Sequence, residues 1–274
     1  MPTFLGKPFN SYFKNILGVN QSSNTGIDST TRVIQDGAGN PTSIGLSDDQ
    51  LVVFPRNDNT ALTFSVTNKA GGSILAVDTT NSNVLTGASQ VAANTQYTHF
   101  GANYADVGTA AMLADTHYAI PFNIAMFNDT IANYAMGSST SSSFNDTNPA
   151  TSLTIADTAM SIINTYWYVM DDITIDAVKW LHAADTATGE DTAAHLMAYT
   201  VDTGNGSTSG DLSSGVVVAD GATITNAGYE QIYYQAMTVQ SADVDAGKVI
   251  MFTFAADTVN SDYSINATVK YHIR

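Results

Sequence analysis

Chemistry in this 274-residue sequence has few places to come from. There is no cysteine, so thiolate catalysis, disulfides and cysteine-ligated zinc are excluded. Histidine and carboxylate remain. His182, Glu190, Asp191 and His195 fall close together, as a metal or acid–base site would require. Their spacing matches neither H-E-x-x-H nor H-x-x-x-H, so the segment reads as a loop between strands with these four residues exposed. Asp171, Asp172 and Asp176 in DDITID offer oxygen to a hard cation, but the spacing of a calcium-binding EF-hand is absent. A turn explains the first two, and strand alternation sends Asp176 to solvent. His99, His117 and His272 are isolated.

Other catalytic patterns are missing. Residues 204–210, GNGSTSG, lack the spacing, the lysine and the helix of a phosphate-binding loop. No G-x-S-x-G elbow occurs. The 23 Asp and 2 Glu supply carboxylates without singling out a facing pair. The expectation is a protein that is not an enzyme, with no catalytic residue, metal or cofactor. Aromatic clusters are the remaining candidates for binding. Tyr166, Trp167 and Tyr168 form one, and Tyr229, Tyr233 and Tyr234 another. Trp167, Tyr233 and Tyr234 could stack on sugar faces at a receptor-binding tip. Strand alternation also predicts that half of each cluster belongs to a core.

The elements that would position these residues are strands. In LTFSVTNKAGGSILAVDTTNSNVLTG, residues 62–87, strands Leu62–Thr67 and Ser73–Asp78 flank an Asn-Lys-Ala-Gly-Gly turn. A third apolar run follows at Val84 and Leu85. Such a hairpin cannot enclose a core alone. Residues 86–116 are Gly/Ala/Asn/Thr-rich with weak periodicity, and the domain boundary is expected inside them. From about 117 strand follows strand, ending in SDYSINATVKYHIR. There Tyr263, Ile265, Ala267, Val269, Tyr271 and Ile273 share one face at strict period two. Residues 138–148 and 202–214 read as long polar loops.

At the start, Phe9, Tyr12, Phe13, Ile16 and Leu17 follow helical spacing, with Pro8 at the first turn and Gly18 as C-terminal cap. With Phe4 they make the apolar face of an anchoring arm. The charge is uneven. Residues 1–27 hold two lysines and no acid, whereas from residue 70 onward there are 4 basic and 20 acidic residues. A net charge of −16 repels nucleic acid and anionic membrane, and neither is an expected partner. No 18-residue apolar run spans a bilayer, and the first residues do not read as a secretory signal.

The spacing Phe64, Val66, Asn68, Gly71, Leu75, Val77, Asp78 and Thr79 resembles a short repeat of bacteriophage fibre and tail-spike proteins. That resemblance implies a triangular β-prism of three chains, with Phe64, Val66, Leu75 and Val77 meeting on the threefold axis. The opening FLGKPFNSYFKNILGVNQSSNTGIDSTTRVIQDGAGN is similar to the start of structural proteins of marine tailed phages. A strand-rich C-terminal half is similar to the knobs of phage decoration, head-fibre and tail-fibre proteins. The expected organisation is all-β. Residues 1–25 form the arm, residues 26–115 a small β domain and stalk, and residues 116–274 an antiparallel β-sandwich of jelly-roll type. The implied protein is a homotrimer on a virion surface, docked to the major capsid protein or another virion protein. The alternative is a tail-fibre or tail-spike subunit that binds a host glycan.

Overall fold

Short polar side chains that cap their own turns set up the first part of the chain. Asp36 Oδ1 accepts from the N–H groups of Ala38 and Asn40 at 2.9 and 2.8 Å. Asn68 Oδ1 accepts from Ala70 and Gly72, both at 2.9 Å, and Asp78 does the same for Thr80 and Asn81. The Asn81 amide and these N–H groups hold the Asp78 carboxyl below the usual carboxylate range. Gly71 takes φ +85°, which a side chain would strain. Each turn therefore folds the chain back on itself locally, and meanders follow.

A computed structural model describes residues 16–22, 26–89, 91–104, 114–123, 126–127, 149, 151, 165–184, 189–201, 212–228, 230–257 and 262–274. Among these the chain is all-β with no helix. It divides into two units, Met1–Ala93 and Asn94–Arg274. The first unit holds two four-stranded antiparallel meanders. One contains β1 (Gly18–Val19), β2 (Arg32–Gln35), β3 (Pro41–Leu46) and β4 (Leu51–Val53). The other contains β5 (Phe64–Thr67), β6 (Ser73–Asp78), β7 (Asn83–Thr86) and β8 (Val91–Ala92). The strands predicted around the Asn-Lys-Ala-Gly-Gly turn are β5 and β6, with β5 starting two residues late.

The second unit continues with β9 (Thr95–Tyr104), β10 (Tyr118–Ile120), β11 (Met126–Phe127), β12 (Trp167–Tyr168) and β13 (Ile173–Ala184). There follow β14 (Asp191–Val201), β15 (Leu212–Asp220), β16 (Ile224–Thr225), β17 (Gln231–Ala236) and β18 (Thr238–Val239). Last come β19 (Asp243–Val244), β20 (Lys248–Ala256) and β21 (Tyr263–Ile273). One sheet runs β11-β9-β21-β13-β17, with β19 beside β13. The other runs β10-β20-β14-β15-β18, with β12 on β20 and β16 on β14. All pairs are antiparallel except β11 with β9.

Both sheets contribute to one hydrophobic core. Phe100, Ile175, Trp180 and Ile265 come from the first, and Tyr118, Leu196, Phe252 and Phe254 from the second. Burying each of these large side chains contributes on the order of 1.5–3 kcal/mol. In β21 the predicted alternation holds through Val269, where Tyr263, Ile265, Ala267 and Val269 are buried; Tyr271 is half-buried and Ile273 exposed. In β13 a bulge between Ile175 and Ala177 shifts the phase. The core face is thus Ile173, Ile175, Val178, Trp180 and His182, and Ala177, which strict alternation from Ile173 and Ile175 would place there, leaves it. β20 is buried on both faces, because Val249 and Met251 join a second cluster with Met197 and Tyr199. That explains its unbroken apolar run.

Candidate functional site

Two arrangements stand out from the scaffold: a bare apolar face in the first unit and a buried imidazole network in the second.

The bare face is made by the meander β5–β8. Its register sets Phe64 opposite Val77 and Val77 opposite Val84, with Val66 opposite Leu75. The five side chains share one face at cross-strand contact spacing. Phe64, Val66 and Val84 are 41%, 44% and 45% exposed, while Leu75 and Val77 are half-buried. The structure therefore brings Phe64, Val66, Leu75 and Val77 onto one surface, and it adds Val84. On the opposite face Ala76 is fully buried. It is the one buried apolar side chain of this unit among the described residues.

The expected arm residues Phe4, Phe9, Tyr12 and Phe13 lie outside the described residues. Ile16 and Leu17 are described, and they are 51% and 62% exposed. Gly18 pairs with Gln35 as the start of β1, and the helix it is expected to cap falls mostly outside the described residues. The β2–β3 hairpin supplies it with a strand partner that local helical spacing does not reveal.

Trp167, Tyr233 and Tyr234 occupy three separate environments. Trp167 is half-buried, parallel to Phe122 at 5.9 Å and tilted against Tyr271 at 4.7 Å. Tyr233 turns inward, where its hydroxyl accepts from the Ala227 N–H at 2.6 Å and donates to Gln231 at 2.9 Å. Tyr234 turns outward, 57% exposed, with the Lys179 ammonium 5.8 Å from its ring centre. Cross-strand pairing places Leu181 against Tyr234. Beside them Ile232 is 73% exposed, so this edge carries a small apolar patch.

The group His182, Glu190, Asp191 and His195 is not an exposed loop cluster. His182 is on β13, while Asp191 and His195 are on β14 and Glu190 immediately precedes it. His182, Glu190 and His195 are buried, and Asp191 is half-buried. A neutral imidazole can take a core position in a period-two strand, which polarity alone does not reveal. His182 has no exposed surface. It lies against the rings of Trp180 and Tyr233 at 4.8 and 5.1 Å, both nearly parallel to it. Its Nε2 lies 3.2 Å from Asn226 Oδ1 and 3.3 Å from Thr192 Oγ1. Asn226 in turn donates to Glu190 Oε2 at 3.4 Å. Burial outweighs Asn226 and Glu190 and pushes His182 down from 6.5 to about 4.

His195 faces away from the core shared by the two sheets, since its neighbours Ala194 and Leu196 face into that core. Its Nε2 is 3.1 Å from Asp220 Oδ1, and its ring meets His117 edge-on at 5.0 Å. Burial lowers its pKa, and the Asp220 carboxylate opposes that shift. His117 is likewise buried, and its contact with His195 means that it is not isolated. Asn226 and Thr192 were not legible as partners, because nothing local ties them to His182.

The DDITID carboxylates find protein partners. Asp172 accepts from the Ala246 N–H at 2.8 Å, and Asp176, exposed as expected, meets His272 Nδ1 at 2.9 Å. Among the described residues no three His, Asp or Glu side chains gather as a metal-ligand set. No family model matches this chain, and no curated protein matches it.

Proposed function

We propose that this protein is a structural component of a tailed-bacteriophage virion, a homotrimeric capsid decoration or head-fibre protein without enzymatic activity. The observation that carries the trimer is the stripe Phe64, Val66, Leu75, Val77 and Val84. It lies partly bare in a unit that buries one apolar side chain among its described residues. A sheet with such a face gains stability by covering it with further copies of itself. In this reading three β5–β8 meanders close a short β-prism. The second unit is a jelly-roll knob on the particle surface, and the basic, apolar segment around Phe4–Leu17 docks on the major capsid protein or another virion protein.

Charge supports the same division of labour. Residues 1–93 carry five basic and six acidic side chains, and residues 94–274 carry four and nineteen. The first unit can meet its copies with little repulsion, whereas the second keeps neighbouring knobs apart. A second reading, a tail-fibre or tail-spike subunit binding a host glycan, is favoured by the exposed Tyr234 ring beside Leu181 and Ile232.

Sedimentation of the full chain at micromolar concentration tests the trimer, and a monomer there removes it. Counting copies on purified particles tests the location. Tens to hundreds favour decoration, a handful in a multiple of three favours a tail appendage, and none ends the virion reading. Deleting residues 1–20 is expected to abolish attachment, and stoichiometric attachment of the shortened chain would refute the docking arm.

A further inference from the structure

We propose that β17 is a proton-operated edge: in mild acid it swings off β13 and opens the buried His182 site to water. The inference rests on the geometry around His182 and is independent of the virion reading. Asn226 and Thr192 hold Nε2, while Nδ1 is buried with no hydrogen-bond partner among the described residues. A neutral imidazole leaves that nitrogen as a lone pair, at modest cost. An imidazolium carries a proton on both nitrogens, and the new N–H on Nδ1 would find no acceptor in place among the described residues.

The groups packed on the ring are Trp180 from β13, Tyr233 from β17, Phe254 from β20 and Tyr263 from β21. Thr192 comes from β14, and Asn226 and Glu190 from the segments flanking β16 and β14. Glu190 is the one carboxylate among the described residues that acts on His182: its charge favours the imidazolium, and it is hydrogen-bonded to the Asn226 amide. His195, the other buried imidazole with an unpartnered Nδ1, differs because Asp220 stands ready as its counter-ion.

Of these walls β17 is the easiest to move. It pairs with β13 alone and ends its sheet, and its side chains are mostly exposed. Inward it is held by the Tyr233 stack and by Gln235, which links Trp180 Nε1 at 3.1 Å to the Ala222 carbonyl at 2.8 Å. Edge segments with few buried contacts open at lower free energy than a sheet interior. Strands β9 and β21, paired on both sides, have no comparable freedom.

The sign follows from linkage. His182 sits at about 4 when buried and returns toward 6.5 when hydrated, so the open form binds more protons between those values. Closure is fully favoured above about pH 6.5 and weakens as pH falls toward about 4. Between about pH 7.5 and about pH 5 the opening equilibrium rises by about thirtyfold. Most carboxylates titrate below that window, so their protonation is largely separate.

Hydrogen exchange of the full chain, corrected for intrinsic rates, tests this at about pH 7.5 and about pH 5. The expected result is about thirtyfold less protection in residues 231–236, with β9 and β21 unchanged. His182→Gln keeps an amide for Asn226 and removes the titrating group, so its profile is expected to be flat. Unchanged wild-type protection, a uniform loss over both sheets, or the same loss in His182→Gln overturns the proposal. Should that variant not fold, the wild-type profile decides alone, because only a loss confined to β17 and its partner edge supports it.

Discussion

Residues 1–93 and residues 94–274 are both antiparallel β, yet they treat apolar surface in opposite ways. In the second unit two sheets enclose Trp180, Phe100, Phe252 and Phe254, and a second cluster of Met197, Tyr199 and Met251 covers the far face of one sheet. In the first unit the meanders have no comparable cluster among the described residues, and Phe64, Val66 and Val84 remain nearly half exposed. The difference lies in strand length. Strands of nine to twelve residues, such as β13, β14, β20 and β21, carry enough inward positions to line a core. Strands of two to six residues do not. Short strands in a nearly neutral unit suit burial between chains, and long strands in a strongly acidic unit suit burial within one.

The sharpest way to test this contrast is to truncate one side chain from each region. Phe252→Ala empties a position with no exposed surface and is expected to cost about 3–5 kcal/mol. Phe64→Ala removes a half-exposed ring and is expected to shift monomer stability by no more than about 0.5 kcal/mol. Urea unfolding at a concentration below association measures both, read by hydrogen exchange in β5–β8 for Phe64→Ala and by tryptophan fluorescence for Phe252→Ala. Trp167 and Trp180 are the only tryptophans and both lie in the second unit, so their fluorescence reports that unit. A large loss from Phe64→Ala in the monomer would break the comparison, since it would mean the first unit covers that face itself.

Association should respond in the reverse sense. Val66→Lys places a charge on the apolar stripe, and three charges would meet in a trimer, so the assembly constant is expected to fall at least about a hundredfold. Sedimentation reads it directly. An unchanged constant would move the contact away from β5–β7.

Sequence reading recovered this division unevenly. The β5–β6 hairpin was legible because turn chemistry and alternation agree over residues 62–79. The buried face of β21 was legible for the same reason over Tyr263, Ile265, Ala267 and Val269. The strand β9 was not, since Thr98, Phe100 and Ala102 make its core face and only one of them is large and apolar. Its place in the sheet comes from pairing with β21, some 160 residues further along the chain. The histidines failed differently. His182 on the core face of β13 and His195 on the opposite face of β14 are polar letters in buried positions, held by contacts with Asn226, Thr192 and Asp220 that no local pattern encodes. Trp167, Tyr233 and Tyr234 show the same limit: alternation correctly divides neighbours Tyr233 and Tyr234 but cannot say what each one meets.

Salt gives a subtler test. A net charge near −15 on residues 94–274 opposes assembly, and ions screen it. Raising salt from about 0.05 M to about 0.5 M is expected to strengthen association by about tenfold, measured again by sedimentation. Weakening with salt would mean that ion pairs, and not apolar burial, join the copies.

The smallest expected effect isolates the turn. Asn68→Ala removes the oxygen that accepts from Ala70 and Gly72, and the loss should be about 1 kcal/mol, confined to the hairpin. Gly71 keeps the backbone path available, so the turn is weakened and not abolished. Hydrogen exchange should report faster opening across residues 64–77, and association should weaken in proportion because the stripe is presented by that hairpin. Tryptophan-detected unfolding of the second unit should not move, because every described residue of the core around Trp180 and Phe252 belongs to that unit. An equal shift in both readouts would show that the two units unfold as one, and the contrast in how they bury apolar surface would then lose its thermodynamic meaning.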